Sequence, residues 1–235
     1  GVTLSTATDE TGILGLAGPK AREVLCACSP DDVSNEALPW LRCAHIRVAG
    51  VPVLALRLSF TGELAFELHA PNADLGHLWD ALWTAGQPHG VAPFGSKALD
   101  SLRLEKFYRG GHELSNDAGH ADVAQERFAK TDKEFVGRDA MLKRFPQKRI
   151  ALLALEGEET DALVGEAVYK DGSVVGSVTS AAYGHTVGKS LAIAFLDEHV
   201  RSSDETVTLS ILGQYIDARV HLDALWDPRN SRLRT

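Results

Sequence analysis

The sequence predicts an α+β protein in which a region of mixed strands and helices is followed by a small all-β region. Apolar and polar residues alternate between Ile46 and Leu68, which is typical of strands. Apolar residues with helical spacing occur near 74–84 and 96–108. After Pro146, six short strand-like segments follow one another, and this pattern favours a small barrel or sandwich.

The first elements are a strand and a short helix. Gly12–Leu16 is short and mostly apolar, which predicts a strand. Gly18-Pro19 predicts the start of a helix, because proline is favoured at the first helical position. Ser29-Pro30 ends that helix, and residues 31–41 are predicted to form a loop.

The next strands turn at Gly50-Val51-Pro52 and again near Gly62. The strand predicted between these two turns places Leu54, Leu56, Leu58 and Phe60 on one face and Arg57, Ser59 and Thr61 on the other.

Two carboxylates are predicted on one face of the strand that follows Gly62. Leu64, Phe66 and Leu68 alternate, so Glu63 and Glu67 point the opposite way. A carboxylate can accept two parallel hydrogen bonds from an arginine, or from a 2-amino-4-oxo heterocycle such as a pterin or a guanine. The same pattern is typical of solvated glutamates on a polar strand face. Both interpretations therefore stay open at this point.

Two helices are predicted next. The first covers 74–84 and carries the stripe Leu75, Leu78, Trp79 and Leu82. The second covers 96–108 and ends at Arg109-Gly110-Gly111, where glycine supplies a left-handed cap. The spacing of its charged residues predicts two ion pairs, Asp100 with Arg103 and Glu105 with Arg109. This helix face is expected to be solvated.

Residues 110–133 are predicted to form a long loop, and a short helix is predicted at 138–144. A domain boundary is predicted at Pro146-Gln147-Lys148, which divides the chain into residues 1–146 and 147–235. Asp171-Gly172 predicts a two-residue hairpin. The predicted strands of the second domain are Ile150–Leu155, Ala167–Lys170, Val174–Ser180, Ser190–Leu196, Thr206–Ile211 and Tyr215–His221.

Composition argues against nucleic-acid and membrane partners. The chain has 235 residues and a formal net charge of −8, so a broad phosphate-binding surface is not expected. Its longest apolar runs are strand-sized, far short of the ~20 residues that span a bilayer. No charged-then-apolar signal segment begins the sequence, which favours a cytoplasmic or organelle-matrix location.

Metal chemistry and the commonest catalytic motifs are not predicted. The nine histidines lack the spacing of metal ligands. The glycine-rich nucleotide motifs, the zinc-protease motif and the serine-hydrolase motif are absent from the sequence. Cys26, Cys28 and Cys43 are an odd number in a large chain and are interpreted as buried, reduced thiols.

Six ordered segments resemble the glycine-cleavage T-protein family of folate-dependent enzymes. They are Gly15–Leu25, Ser59–Leu68, Leu99–Lys106 with Tyr108-Arg109, Phe135–Ala140, Gly176–Ser180 with Tyr183 and Gly188–Ala192, and Trp226–Arg229. The form Leu104-Glu105-Lys106-Phe107-Tyr108-Arg109 is similar to that of dimethylglycine and sarcosine dehydrogenases.

This resemblance implies a tetrahydrofolate-binding unit with ferredoxin-like strand and helix units, followed by an antiparallel β-barrel. Such enzymes collect a one-carbon group from a methylamine donor as methylene-tetrahydrofolate. In the dehydrogenases a separate domain holds FAD. The family's catalytic Asp lies before the matched region, so no catalytic residue is assigned. The chain is expected to act as an enzyme, of the aminomethyltransferase or demethylating-dehydrogenase kind, as part of a longer protein and to be inactive when isolated. A cytoplasmic location, or the mitochondrial matrix in a eukaryote, is expected.

The resemblance also implies cofactor-binding residues. The family's pterin-binding glutamate falls on Glu67, and Phe60 stands where the family usually has tyrosine. Phe128 is expected either to pack on the aminobenzoyl ring of folate or to lie in the core. Arg232 and Arg234 are cations suited to the glutamate tail of folate, and Tyr108 belongs to the second signature. Glu63 is expected to be structural.

Two positions bear on the branch of the family. Leu99 stands where the T-protein has arginine, which favours the dehydrogenase branch. Glu134 stands where iron–sulfur-assembly relatives have cysteine, which argues against that branch. A flavin-free aminomethyltransferase, a folate-dependent demethylase and a folate-binding scaffold without catalysis remain as alternatives.

Overall fold

The chain forms two compact units. A computed structural model describes residues 2–146, 148–157, 160–200 and 202–235. The first unit extends to Gly95 and includes Arg229–Thr235, and the second comprises Ser96–Pro228. Gln147, where the second predicted domain begins, lies outside the described residues, and the predicted boundary there stays a prediction.

The first unit is built on an antiparallel sheet. Within the described residues its strands are β1 (Thr11–Ala17), β2 (Cys43–Val48), β3 (Val51–Leu56) and β4 (Ala65–Pro71). The spatial order is β1-β4-β3-β2, so β4 lies between β1 and β3. The register sets Glu67 of β4 opposite Gly15 of β1 and Leu56 of β3.

One face of this sheet is covered by helices α1 (Ala21–Cys28) and α2 (Leu75–Gly86). Leu16, Phe66 and Leu68 point to the helices and form a core with residues such as Leu25 and Leu78. Strand side chains alternate between faces, so the residues between these core positions point away from the helices.

Several predicted positions in this unit are wrong. Pro19 precedes the N-cap residue Lys20, so it does not occupy the first helical position. Strand β3 ends at Leu56, so Leu58 and Phe60 lie beyond it. Strand β4 begins only at Ala65, so Glu63 does not share a strand face with Glu67. The amide of Gly18 donates to the Leu64 carbonyl just before β4, a long-range contact that no local pattern indicates.

The second unit contains a closed antiparallel barrel, as predicted. Its described strands are β5 (Lys148–Leu155), β6 (Ala167–Lys170), β7 (Ser173–Gly184), β8 (Lys189–Asp197), β9 (Thr206–Ile211) and β10 (Gln214–His221). They close in the order β10-β5-β8-β7-β6-β9. Asp171 and Gly172 both have positive φ, 51° and 79°, which the predicted two-residue hairpin turn requires.

Helices α3 (Ser96–Glu105) and α4 (Arg138–Lys143) precede the barrel. Leu104 at the end of α3 packs with Ile150 and Ile193 of the barrel strands. The helix ends earlier than predicted, and the left-handed residue after it is Phe107, with φ 52°, rather than a glycine. Residues 110–133 contain turns and one 3-10 turn, Glu126–Phe128, consistent with the predicted loop.

The predicted solvated face of α3 is wrong. Asp100 does pair with Arg103, at 3.0 Å, but Arg103 and Glu105 are both buried. Glu105 accepts hydrogen bonds from the Thr186 and Val187 amides, and not from Arg109 as its spacing suggested. Arg109 instead donates to the Val123 and Phe107 carbonyls.

A buried ionic network joins α3 to the barrel, and its acceptor is Glu113. The carboxylate of Glu113, which is 0% exposed, accepts hydrogen bonds from Arg103 Nη1 at 3.2 Å and from the Ser180 and Thr179 hydroxyls at 2.6 Å. Burial alone would raise the pKa of Glu113, but these hydrogen bonds, the Gly110 amide and the Arg103 charge together lower it. The network therefore stabilises the ionised carboxylate.

The cysteines are free but less buried than predicted. All three lie among the described residues, and Cys26 and Cys43 are exposed, so the prediction that they are buried is wrong. Among the described residues, no helix has the length and apolar character needed to cross a membrane. The same part of the chain contains no group of His, Cys, Asp and Glu that could hold a metal ion.

We expect Gly176→Ala to destabilise the barrel. A Cβ there would overlap the Phe195 carbonyl oxygen, which is backbone and has little room to move. Overpacking of this kind costs about 1–3 kcal/mol in the free energy of unfolding. Gly76→Ala is the control, because its Cβ meets nothing within 4 Å and alanine favours the helix by about 0.5–1 kcal/mol. Urea unfolding measures both, and equal stability of Gly176→Ala and the parent would contradict the steric account.

We expect Glu113→Gln to lower stability at neutral pH by about 3–5 kcal/mol, because it removes the buried carboxylate that faces Arg103 and leaves only the half-exposed Asp100 as its charged partner. The folded-state pKa of Glu113 is lowered, so its contribution is complete above the unfolded pKa of about 4.3 and is lost as pH falls through the folded value.

The difference between parent and variant should therefore shrink between pH ~7 and pH ~3, measured by urea unfolding. Glu134→Gln serves as the control, because Glu134 is 90% exposed and its removal should change stability by less than ~0.5 kcal/mol. A difference that stays constant with pH would show that Glu113 does not act as a carboxylate.

Candidate functional site

The uncovered face of the first sheet contains a partly exposed carboxylate, Glu67. This side chain is 45% exposed and lies on an inner strand of the sheet. Gly15 stands directly opposite it on β1, and a Cβ at Gly15 would meet nothing within 4 Å. Leu56 stands opposite it on β3. The carboxylate thus lies between an open glycine position and an apolar side chain.

The imidazole of His69 contacts one oxygen of this carboxylate. Its Nε2 lies 3.3 Å from Glu67 Oε2, and the two residues are neighbours on the same strand face. An ionised carboxylate only accepts hydrogen bonds, so Nε2 carries the proton in this contact. The carboxylate has four acceptor positions in all, which leaves capacity for a ligand with two parallel donors.

The loop before β4 carries Phe60, whose ring is 41% exposed. The hydroxyl of Ser59 shapes this loop by accepting a hydrogen bond from the Gly62 amide at 3.2 Å. At its end, Glu63 Oε1 lies 3.6 Å from Arg232 Nη1, so Glu63 belongs to a local ion pair. The loop therefore presents an aromatic ring while its carboxylate is engaged with the C-terminal segment.

Arg57 fixes the same loop to the C-terminal segment 229–235. Its guanidinium is 1% exposed and donates to the Leu38 carbonyl at 3.0 Å, the Leu233 carbonyl at 3.1 Å and the Thr235 oxygen at 2.7 Å. It also bonds the side-chain oxygen of Asn35. Burial first, and then the charge of Arg22, lower the pKa of Arg57.

The two predicted tail-binding arginines lie in this segment. Arg232 contacts Glu63, and the guanidinium of Arg234 lies 5.0 Å from the Trp40 ring. Both contacts are within the first unit, which also holds Glu67 and Phe60. Binding of folate by these four residues stays a prediction.

The other two predicted contacts, Tyr108 and Phe128, belong to the second unit. Burial first, and then the Asp227 carboxylate, raise the pKa of Tyr108, so its hydroxyl keeps its proton. Lys106 Nζ lies 5.9 Å from the Tyr108 ring. Phe128 is 67% exposed under the Arg127 guanidinium, so the core-packing alternative for Phe128 is wrong.

Sequence reasoning missed His69, Gly15 and Arg57. His69 follows Glu67 by two residues, and strand alternation alone could have placed both on one face. Gly15 becomes a neighbour of Glu67 only through the pairing register. Arg57 looked like a polar-face residue, whereas its acceptors lie in distant segments, as at Leu233.

Comparisons with known proteins identify the family. Residues 1–133 match the family described as GCVT N-terminal domain, and residues 148–227 match the glycine cleavage T-protein C-terminal barrel domain. Human mitochondrial dimethylglycine dehydrogenase is 35% identical over 99% of this chain. Mouse mitochondrial sarcosine dehydrogenase is 36% identical over 98% of it. The chain spans only 28% and 26% of these two proteins.

This chain covers a larger part of two shorter relatives. An aminomethyltransferase from Shouchella clausii is 32% identical, with 93% of this chain and 61% of that protein covered. The crystal structure of aminomethyltransferase T of the Bartonella henselae glycine cleavage system superimposes with a TM-score of 0.80 at 23% identity, covering 93% of this chain and 60% of that one, and so shows the common fold. With both family domains present in order, the chain belongs to the glycine cleavage T-protein family.

Proposed function

We propose that this chain is the tetrahydrofolate-binding region of a one-carbon-transfer enzyme of the dimethylglycine or sarcosine type. In this role it captures the carbon of an N-methyl amine as methylene-tetrahydrofolate. The observation that carries the proposal is the position of Glu67, a partly exposed carboxylate on an open sheet face beside a glycine. Family membership and the dehydrogenase relatives support the choice of folate and of donor.

The chemistry of the pterin suits this carboxylate. A pterin presents a ring N–H and an exocyclic amine side by side, and the two oxygens of Glu67 accept from such a pair. The contact of His69 Nε2 with Oε2, at 3.3 Å, favours one orientation of the carboxylate before the ligand arrives. A charge-assisted pair of this kind is stronger than two neutral hydrogen bonds and is specific in direction.

The surroundings of Glu67 suit a flat ring. Gly15 offers no side chain, and the same face carries the partly buried Leu54 and Leu56 of β3. These residues would contact the face of the pterin without competing for its donors. Phe60 supplies a further aromatic surface in the adjacent loop.

The remaining contacts complete the proposal. Tyr108 retains a proton that it can donate, and Phe128 exposes a ring suited to the aminobenzoyl group. Arg232 and Arg234 would attract the glutamate tail of folate, with Arg232 exchanging its Glu63 contact for a ligand carboxylate. Each of these residues would add to affinity, whereas Glu67 would set the orientation.

Oxidation of the methylamine is assigned to a separate FAD domain, as in the dehydrogenase relatives. This chain spans about a quarter of those proteins, so we expect it to bind folate without turning it over. A flavin-free aminomethyltransferase is the second candidate, favoured by the Shouchella relative. Absorbance of flavin in the full-length protein distinguishes the two. A cytoplasmic or mitochondrial-matrix location is proposed, the latter in line with the mitochondrial relatives.

We expect tetrahydrofolate to bind this chain at one saturable site and Glu67→Gln to weaken the binding about 10- to 100-fold. The amide keeps the shape of the side chain but replaces one acceptor by a donor, which removes a charge-assisted hydrogen bond worth about 1.5–3 kcal/mol. Calorimetric titration measures the affinity of both proteins.

Glu36→Gln is the matched control, because it removes the same charge from an exposed loop position in the same unit. Circular dichroism checks that each variant is folded. Unchanged affinity in Glu67→Gln would contradict the role of this residue. Absence of binding by the parent and by the control would contradict folate binding by this chain.

A further inference from the structure

The first unit contains a pocket of about 570 Å³ that is separate from Glu67. It is bounded by the end of β1, the start of α1, helix α2 and residues 89–94. Leu16, which lines it, points to the helix-covered face of the sheet. Glu67 points to the opposite face and, among the described residues, is not part of the lining. The volume lies within the range of small-molecule sites, about 300–1,000 Å³.

Aromatic side chains form an exposed surface in this pocket. Trp79 and Trp83 lie one turn apart on α2, with ring centroids 5.9 Å apart and planes only 12° from parallel. Trp79 is 47% exposed and Phe94 is 50% exposed, although Leu78 on the same helix is fully buried. Packing within the described part of the unit thus leaves much of this aromatic surface uncovered. Flat rings favour contact with a planar ligand.

An ammonium group and an imidazole line the pocket beside the aromatic rings. They are Lys20 and His89. Glu23 pairs with both, at 2.9 Å from Lys20 Nζ and 3.4 Å from His89 Nδ1, but it is not one of the lining residues. The hydrogen bond from Lys20 is the first cause that lowers the pKa of Glu23, which keeps it ionised. Lys20 therefore contributes a positive charge to the pocket wall, and the half-exposed Glu23 carboxylate that pairs with it is outside the lining.

We propose that this pocket binds a planar aromatic molecule that carries one acidic group. The rings of the ligand pack against Trp79 and Trp83, and its acidic group contacts Lys20 and His89. Most of the site lies on the other face of the sheet from Glu67, and its lining also includes Gly15 of β1, which stands opposite Glu67. The site takes a ligand other than folate.

The test uses anilinonaphthalene sulfonate, a flat aromatic anion that fluoresces in apolar surroundings. Titration of the whole chain should show one saturable site. Trp83→Ala should weaken binding by about five- to tenfold, the effect of losing one aromatic contact. Lys20→Gln should weaken it by about two- to fivefold, and Glu23→Gln should strengthen it by a similar factor, because the wall then becomes more positive.

The opposite effects of Lys20→Gln and Glu23→Gln are the sharpest part of the test, because both variants break the Lys20–Glu23 ion pair and leave opposite charges behind. Glu23→Gln also removes the contact of Glu23 with His89. Trp226→Phe, in the second unit, and Glu67→Gln should leave the affinity unchanged. Near-ultraviolet circular dichroism confirms that each variant keeps native packing.

Several results would overturn the proposal. They are several dye molecules bound per chain, no saturation, or equal affinity in Trp83→Ala and the parent. Weaker binding in Glu23→Gln would show that the site does not select an anion. Loss of dye binding in Glu67→Gln would place the dye in the proposed folate site instead, and would leave folate binding itself to the calorimetric test.

Discussion

The first unit depends on the pairing register between β1 and β4. Side chains of a strand alternate strictly between faces, so the register that buries Phe66 and Leu68 also directs Glu67 and His69 outward. A slip of one residue would expose the core residues and bury the carboxylate. The hydrophobic core and the candidate site are thus fixed by the same constraint. The pairing also brings Gly15 next to Glu67, although the two residues are 52 positions apart in the sequence.

Patterns within one element predicted much of this fold correctly. Strand β3 up to Leu56, helix α2 and the six barrel segments reflect local periodicity, although Trp79 of the predicted α2 stripe is 47% exposed. The hairpin at Asp171-Gly172 reflects a local backbone preference. The pairing of Asp100 with Arg103 is local too, since one helical turn separates them. Such features require no knowledge of the partners that later pack against them.

The wrong predictions concern features that distant partners decide. The spacing of Arg103 on its helix indicates a solvated residue. In the structure it donates hydrogen bonds to Glu113 and to Ser180, and Ser180 belongs to a barrel strand far along the chain. Arg57 was also predicted on a polar strand face, but it is buried and donates a hydrogen bond to the distant Leu233 carbonyl. The start of β4 at Ala65 also involves a distant residue, because the Leu64 carbonyl accepts a hydrogen bond from the Gly18 amide. The assignment of Glu67 to pterin binding rests on family resemblance and stays a proposal, which the partial exposure of that side chain supports.

The two faces of the first sheet suit different ligands, because helices cover one face and polar side chains lie on the other. Helices α1 and α2 cover one face, and Trp79 and Trp83 project beside that apolar core, so a ligand there would gain from burial of its rings. The other face is left to Glu67 and His69, where a ligand would gain from directed hydrogen bonds in a partly solvated setting. Gly15 of β1 lines the pocket and also stands opposite Glu67, so a ligand on one face could change the affinity for the other by shifting the backbone of β1 and β4. The tight antiparallel pairing of these strands opposes such a shift, so independent binding at the two faces is the expected behaviour.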